Sequence, residues 1–351
     1  MLLRSHGSSS SSEFLPDDLV ELILEHVPVM PLLRFRSVSK KWKLTIESQR
    51  FGQRHLIRRK QLRGPDVLIL SHSTLSLEDE PLDDRIFGLG TSIVWTVKLP
   101  ITCDMYCHGT CESCDGLFCT FGIYNTPSVV ANPATGWYRI LPLSNYQHLC
   151  QTYMRKGYVD FPGLGFGRDK LRGTFKAVWL YNASGFVPKQ DKVVTYCEVF
   201  DFTTNAWRYV VASSPYPIPD YHLGGSLYWF TECDDEPPMV LSFDLHTETF
   251  QVICKAPFAH PYFTQVIWSF DPSGKTWKTI CSLDLKGCWH RSEFPLLPIA
   301  ILNKGWLLLQ GGSCMMIYDL HTKSYDLLFQ PDIGPVGCVY YFKSLLSASS
   351  N

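Results

Sequence analysis

The stretch FDLHTETFQVI, Phe243 to Ile253, places an aromatic residue and an aspartate ahead of a short polar run, then resumes with an aromatic and further apolar positions. An Asp or Asn side chain can accept hydrogen bonds from backbone N–H groups just ahead of it, which closes a tight turn. The second aromatic then sits on the returning strand. Four other stretches share this form: ANPATGWYRIL from Ala131, FDFTTNAWRYV from Phe200, FDPSGKTWKTI from Phe270 and YDLHTKSYDLL from Tyr318. In each, an aromatic follows the Asp or Asn by five or six residues. Glycine pairs stand before two later units, Gly224-Gly225 before SLYWF and Gly311-Gly312 before SCMMIYDLHT. Repetition of one such unit is the pattern of a β-propeller, in which blades of roughly 40–50 residues stack and bury one another's faces, although the spacing here is uneven. Residues 65–346 are therefore expected to form an all-β propeller of about six blades. The early part lacks a glycine pair, which predicts an irregular or incompletely closed ring there.

Ahead of this region the period changes. FLPDDLVELILEHVPVMPLLRFRSVSKKWKLTIESQRF, Phe14 to Phe51, carries apolar residues at helical spacing: Leu15, Leu19, Leu22, Ile23 and Val27, then Leu32, Leu33 and Phe35, then Val38, Trp42 and Ile46. Pro16 suits a first turn, and Asp17 and Asp18 favour a helix N-terminus. Pro28 and Pro31 interrupt the run, so residues 13–50 are expected as three short helices. So small a unit shows more apolar surface than it can cover, and this marks an interaction module. A disordered leader over 1–12 with its run Ser8 to Ser12, a linker helix over 51–64 and a disordered tail over 347–351 complete the expected organisation.

Composition bounds the function class. The 351 residues are 45% hydrophobic with a formal net charge of -1, so a large core is available and no overall field attracts nucleic acid or anionic lipid. No window approaches the roughly 18 apolar residues of a membrane span. The 13 cysteines are an odd number, and the N-terminus lacks the apolar run of a secretory signal. Buried free thiols in the cytoplasm, the nucleus or both are the expectation. There is no G-x-S-x-G, H-E-x-x-H or Walker A motif.

At this point the residues resemble a known family. LPDDLVELILEHVP followed by RFRSVSKKW is similar to an F-box, the segment by which substrate receptors dock on the Skp1 adaptor of SCF ubiquitin ligases. The resemblance implies a Skp1-like adaptor bound by Leu15, Pro16, Leu19, Ile23, Leu24, Leu32, Leu33, Val38 and Trp42, with a cullin joined through the adaptor. SCDGLFC, ANPATGWYRILP, GFGRDKLRGTFKAVWL, CEVFDFTTNAWRYV, GGSLYWF and VLSFDLHTETFQVI follow in the order of the F-box-associated domain, a kelch-like module of plant F-box proteins. What this implies is a non-catalytic receptor without cofactor whose propeller holds a protein target for ubiquitination. The alternative is a propeller scaffold or small-molecule sensor whose F-box serves outside ubiquitination. A copper-dependent propeller oxidase lacks a placeable set of His, Tyr and Cys.

Four further stretches have competing readings. CDMYCHGTCESCDGLFC, Cys103 to Cys119, has one pair at metal-ligand spacing, but SCDGLFC resembles a blade strand with Gly116 at its turn, and alternation sends neighbouring thiols to opposite faces. GLGFGRDKLRG, Gly163 to Gly173, mimics a phosphate loop but lies between strands, so a β-turn is expected. ECDDEPP, Glu232 to Pro238, reads as an inter-strand loop, and the basic stretch Arg50 to Arg63 as a solvated helix face rather than a phosphate-binding patch. For target binding, Tyr146, His148, Trp289, His290 and Arg291 in expected loops carry the side chains that dominate contact hot spots.

Overall fold

The computed structural model describes residues 15–62, 66–71, 85–89, 108–110, 113–122, 126–153, 164–182, 194–211, 214, 216–218, 227–231, 238–257, 264–271, 273–284, 296–302, 305–311, 314–329 and 336–348. Four helices come first: α1 (Asp17–Leu24), α2 (Val29–Phe35), α3 (Lys40–Glu47) and α4 (Gln49–Leu62). Pro16 and Pro28 stand immediately before α1 and α2, and Ser39 caps α3 by accepting the Trp42 N–H. The expected three helices over 13–50 are present, and the linker helix begins at Gln49, since Ser48 turns out of α3 and its Oγ accepts the Phe51 N–H of α4 at 3.3 Å.

The strands follow as antiparallel sheets. β1 (Asp66–Ser71) and β2 (Arg85–Leu89) share a sheet with β20 (Val336–Tyr341) from the far end of the chain. Next come β3 (His108–Thr110), β4 (Phe118–Gly122), β5 (Val129–Asn132) and β6 (Trp137–Ile140), then a helix α5 (Asn145–Tyr153). β7 (Leu164–Arg168), β8 (Phe175–Asn182), β9 (Thr195–Asp201) and β10 (Ala206–Tyr209) form another sheet, and β11 (Tyr228–Phe230), β12 (Met239–Asp244) and β13 (Thr249–Lys255) the one after. β14 (Thr264–Asp271) pairs with β15 (Thr276–Asp284), and β16 (Leu297–Leu302), β17 (Trp306–Gly311), β18 (Cys314–Asp319) and β19 (Tyr325–Phe329) complete the series. The described residues thus hold six sheets. Consecutive sheets share buried clusters, such as Trp179 with Leu117 and Cys119, Leu180 with Leu241, and Leu283 with Leu309. Val67 of β1 packs with Leu308 and Met315 of the last series, so the ring returns on itself. This corrects the expected open early part, because β20 supplies the first sheet with a strand that its own region does not encode.

The repeated turn has one geometry. Phe243 faces Phe250, Phe200 faces Trp207, Phe270 faces Trp277 and Tyr318 faces Tyr325 across their hairpins, with ring centroids 4.8–5.2 Å apart. The aspartate Oδ1 accepts backbone N–H groups, as from His246 and Thr247 to Asp244 at 2.8 and 2.7 Å. Four residues after each Asp or Asn the backbone is left-handed, at Gly136, Asn205, Glu248, Lys275 and Lys323. Asp169 to Gly173 makes the same turn, which the sequence pattern missed because Arg168 stands where the others have an apolar or small residue. Its guanidinium lies 5.5 Å from the ring centroid of Phe175, its cross-strand partner. Gly165 and Gly167 lie in β7, where their Cβ atoms would meet Trp229, Leu227 and Leu245 of the next sheet. Sheet packing, not phosphate, explains them.

Candidate functional site

Two surfaces stand at opposite ends of the ring. The turns after the first and third strands of a sheet face the helices: Asp115 meets Lys60 at 2.7 Å, and Asn132 holds the chain at Leu346. By antiparallel alternation, the remaining connections leave from the other end.

At the helical end, Leu24, Leu32, Ile46 and Phe51 form a buried cluster, with Val20, Val27, Phe35, Trp42 and Leu345 packed against it. Leu24 and Leu32, at 1% and 0% exposure, hold the unit together from inside and offer no surface to an adaptor. This corrects their assignment as contact residues: the helical period that selected them marks the inward face equally well. Trp42 and Leu33 are half-buried, Trp42 edge-on to Phe35 at 5.7 Å. Leu15, Leu19, Ile23 and Val38, by contrast, are 47% to 59% exposed, and Pro16 is exposed beside them. Leu15, Leu19, Leu22 and Ile23 recur at helical spacing and form one apolar strip along α1. Sequence reasoning missed Leu22, Met30 and Leu44, all exposed; the spacing to Leu19 and Ile23 was a usable signal for Leu22, and none existed for the other two.

α4 splints this unit to the ring. Arg54 pairs with Glu21 at 2.8 Å and Glu25 at 2.5 Å, and Arg58 meets His26. His55 donates Nε2–H to the Val27 carbonyl at 2.8 Å; burial holds its imidazole below the ordinary value, so it acts as a neutral donor. On the other side Arg59 reaches Asp66 at 3.3 Å, and Arg168 joins the Lys60–Asp115 pair at 3.2 Å. Arg54, Arg58, Arg59 and Lys60 are therefore engaged in contacts rather than solvated along a free face. The chain end completes the joint: Asn132 Nδ2 donates to the Ser344 and Leu346 carbonyls at 3.0 and 2.8 Å, and Leu346 packs against Gly52. Ala348, expected in a disordered tail, is buried because this return path carries it into the ring's core.

At the far end, SNYQHLC is helix α5 and not a loop. Glu198 of β9 receives the N–H groups of Asn145 and Tyr146 at 3.0 and 2.9 Å, and Tyr181 donates its hydroxyl to the same carboxylate at 2.7 Å. This capping from another strand is invisible to local sequence. Tyr146 is fully buried, 4.9 Å from Trp179, and therefore packs the core instead of meeting a target. His148 is exposed on the same helix. Tyr196, Tyr209 and Tyr216, with Val211, are exposed at this end too, with no sequence signal that would have selected them. Trp289, His290 and Arg291 lie outside the described residues, as do Glu232 to Glu236.

Among the described residues the cysteines are free thiols and gather into no ligand cluster. Cys119 is buried in β4, and Cys114 precedes the Asp115–Gly116 turn, where burial and the Asp115 charge push its thiol up to about 12. Cys103, Cys107 and Cys111 lie outside the described residues, among which no cluster of His, Cys, Asp or Glu could hold a metal ion.

Comparison with known proteins agrees with this division. The F-box domain family matches residues 13–54, and the F-box associated beta propeller domain family matches residues 97–272. F-box protein At1g11270 of Arabidopsis thaliana is 47% identical over 294 residues, covering 82% of this chain and 86% of that protein. The F-box/LRR-repeat/kelch-repeat protein At1g09650 of the same plant is 41% identical over 386 residues, covering 96% of this chain and 97% of that one. Among solved structures, a chain of a nidogen/laminin complex is similar with a TM-score of 0.42 and 14% identity, covering 80% of this chain and 99% of that one.

Proposed function

The chain belongs to the F-box proteins with an F-box-associated β-propeller domain, and from that membership we propose that it is the substrate-recognition subunit of an SCF-type E3 ubiquitin ligase. The carrying observation is the apolar strip of Leu15, Leu19, Leu22 and Ile23, left uncovered on a helical unit whose inner face is fully packed. Each aliphatic side chain that a Skp1-like adaptor buries contributes about 1.5–3 kcal/mol, so a few anchors suffice for stable docking. Pro16, Val38 and the exposed parts of Leu33 and Trp42 extend the contact. A cullin joins through the adaptor.

The target protein is then held at the far end of the ring, where His148 and the exposed tyrosines lie. Tyrosine offers a large contact area at small entropic cost, which supports that assignment. The chain's contribution is effective concentration: it holds the target beside the ubiquitin-charged enzyme and takes no part in bond chemistry. Cytoplasm or nucleus is the proposed location, supported by the free thiols of the seven described cysteines.

The test is co-purification of adaptor and cullin with the intact chain and with a Leu19→Glu/Ile23→Glu variant. Both positions are exposed, so the variant retains its fold, checked by circular dichroism. Retention of both partners by the intact chain and their loss from the variant supports the reading. Equal retention, or none by the intact chain, overturns it.

A further inference from the structure

The charges around the exposed apolar face are not evenly matched. Over residues 15–48, Asp17 meets Lys41, Glu21 and Glu25 meet Arg54, and Glu47 meets Arg36 at 3.2 Å. Asp18 is the one carboxylate of this segment without such a pairing among the described residues. Arg34, Lys40 and Lys43 are exposed cations with no carboxylate partner among the described residues. Each lies beside an exposed apolar side chain. Met30 and Arg34 are four apart on α2, Lys40 and Lys43 share the outer face of α3 with Leu44, and Val38 occupies the turn between. Trp42 and Ile46 take the opposite, inward face of α3. The Lys41–Asp17 contact brings the start of α3 against the start of α1, so this basic-rimmed strip continues from the one carrying Leu15 and Leu19.

We propose that Arg34, Lys40 and Lys43 form an electrostatic guide that selects an adaptor whose contact surface carries acidic side chains around an apolar centre. The inference rests on the adaptor reading and deepens it. Rim charges of this kind act mainly on the encounter: they raise the association rate, they discriminate among related partners, and they are screened by salt. The apolar strip of α1 then governs how long the complex lasts.

The experiment measures association and dissociation rates of the intact chain with purified Skp1-like adaptors at low and high ionic strength. Three variants are compared: Lys40→Glu/Lys43→Glu, a Lys278→Glu control on the exposed outer side of β15, and Leu19→Glu/Ile23→Glu. The expected result is association slowed about tenfold at low salt by the Lys40/Lys43 reversal, with a flattened salt dependence and little change in dissociation. The Lys278 control should match the unsubstituted chain. A Lys40/Lys43 variant whose rates and salt slope equal those of the control overturns the guide while leaving the adaptor reading standing. No adaptor binding by the intact chain, or binding indifferent to Leu19→Glu/Ile23→Glu, overturns both.

Discussion

Lys176 Nζ meets Glu248 Oε1 at 2.7 Å, and so joins β8 to the turn of the following sheet. Glu248 is the left-handed residue of that turn, and Arg208 of β10 approaches the same oxygen at 2.5 Å. The preceding joint repeats the device: Arg139 Nη2 donates to Asn205 Oδ1 at 2.8 Å, and Asn205 is left-handed as well. A glycine would relax each turn, but it would leave the neighbouring sheet's cation only a backbone carbonyl, Leu245 for Lys176 and Phe202 for Arg139.

Replacing Glu248 by alanine removes that acceptor and, because a Cβ remains, leaves the strain of the left-handed turn in place. Lys176 is buried and also donates to the Leu245 carbonyl, so Glu248→Ala is expected to lower unfolding free energy by about 3 kcal/mol, through an uncompensated buried charge. Lys176→Met/Glu248→Ala should lose clearly less than Glu248→Ala alone. Denaturant unfolding of the three proteins checks the order.

Left-handed positions without such a role should respond the other way. Lys323 is exposed with φ near 57°, and Lys323→Gly is expected to gain about 0.5–1 kcal/mol by relieving Cβ strain. Gly136 and Gly116 also have positive φ, but they differ in surroundings: a Cβ at Gly136 meets nothing within 4 Å, whereas at Gly116 it would lie 2.2 Å from Ser344 Oγ and 2.6 Å from the Phe342 carbonyl. Gly136→Ala should cost about 1–2 kcal/mol, and Gly116→Ala distinctly more. Thermal unfolding of each variant gives the comparison.

Leu24 and Leu19 sit five residues apart on α1 and should separate stability from docking. Leu24→Ala is expected to destabilise the helical unit by about 2–5 kcal/mol. Leu19→Ala should change stability by less than about 0.5 kcal/mol and weaken adaptor capture. Melting curves and adaptor pull-downs on both variants provide the readout.

The joint between helices and ring depends on Asn132, whose side-chain oxygen accepts from Ala134 N–H at 3.0 Å and from the Tyr341 hydroxyl at 2.9 Å while its nitrogen serves the chain end. Asn132→Ala removes the oxygen these two groups share, leaving them only their mutual 3.2 Å bond, and takes the amide donor from the Ser344 and Leu346 carbonyls. Amide exchange of residues 342–348 should accelerate at least tenfold, and unchanged protection there would contradict the role assigned to Asn132.

Acid should loosen the turns. The Thr247 N–H, followed by the other donors of its turn, holds the Asp244 carboxyl below its ordinary 3.8, and the Thr322 N–H does the same for Asp319. A carboxylate with a lowered folded-state value stabilises the fold above its unfolded value, and that stability is lost as pH falls through the folded value. Unfolding midpoints should fall gently below the ordinary 6.5 of His55, whose buried neutral form lets the unfolded chain bind the extra proton, and should decline more steeply below about 4 as these carboxylates protonate. Asp244→Asn/Asp319→Asn should shallow that decline.

Features that depend on near neighbours are legible in the residues alone. The helical period of Leu15, Leu19 and Ile23, the prolines before α1 and α2, and the Asp-turn-aromatic unit each act within a few residues, where side-chain spacing and backbone conformation are directly encoded. Tertiary structure decided what depends on residues far apart in the chain. A helical period reports that a residue is apolar but not whether the inside or the outside receives it, and so Leu24 and Leu32 stood with the docking residues until packing against Ile46 and Phe51 separated them. Glu198 capping α5, β20 closing the first sheet and Arg54 tying α4 to α1 are pairings across tens to hundreds of residues. Chain entropy opposes such contacts until the hydrophobic core has brought the segments together, so no local pattern announces them.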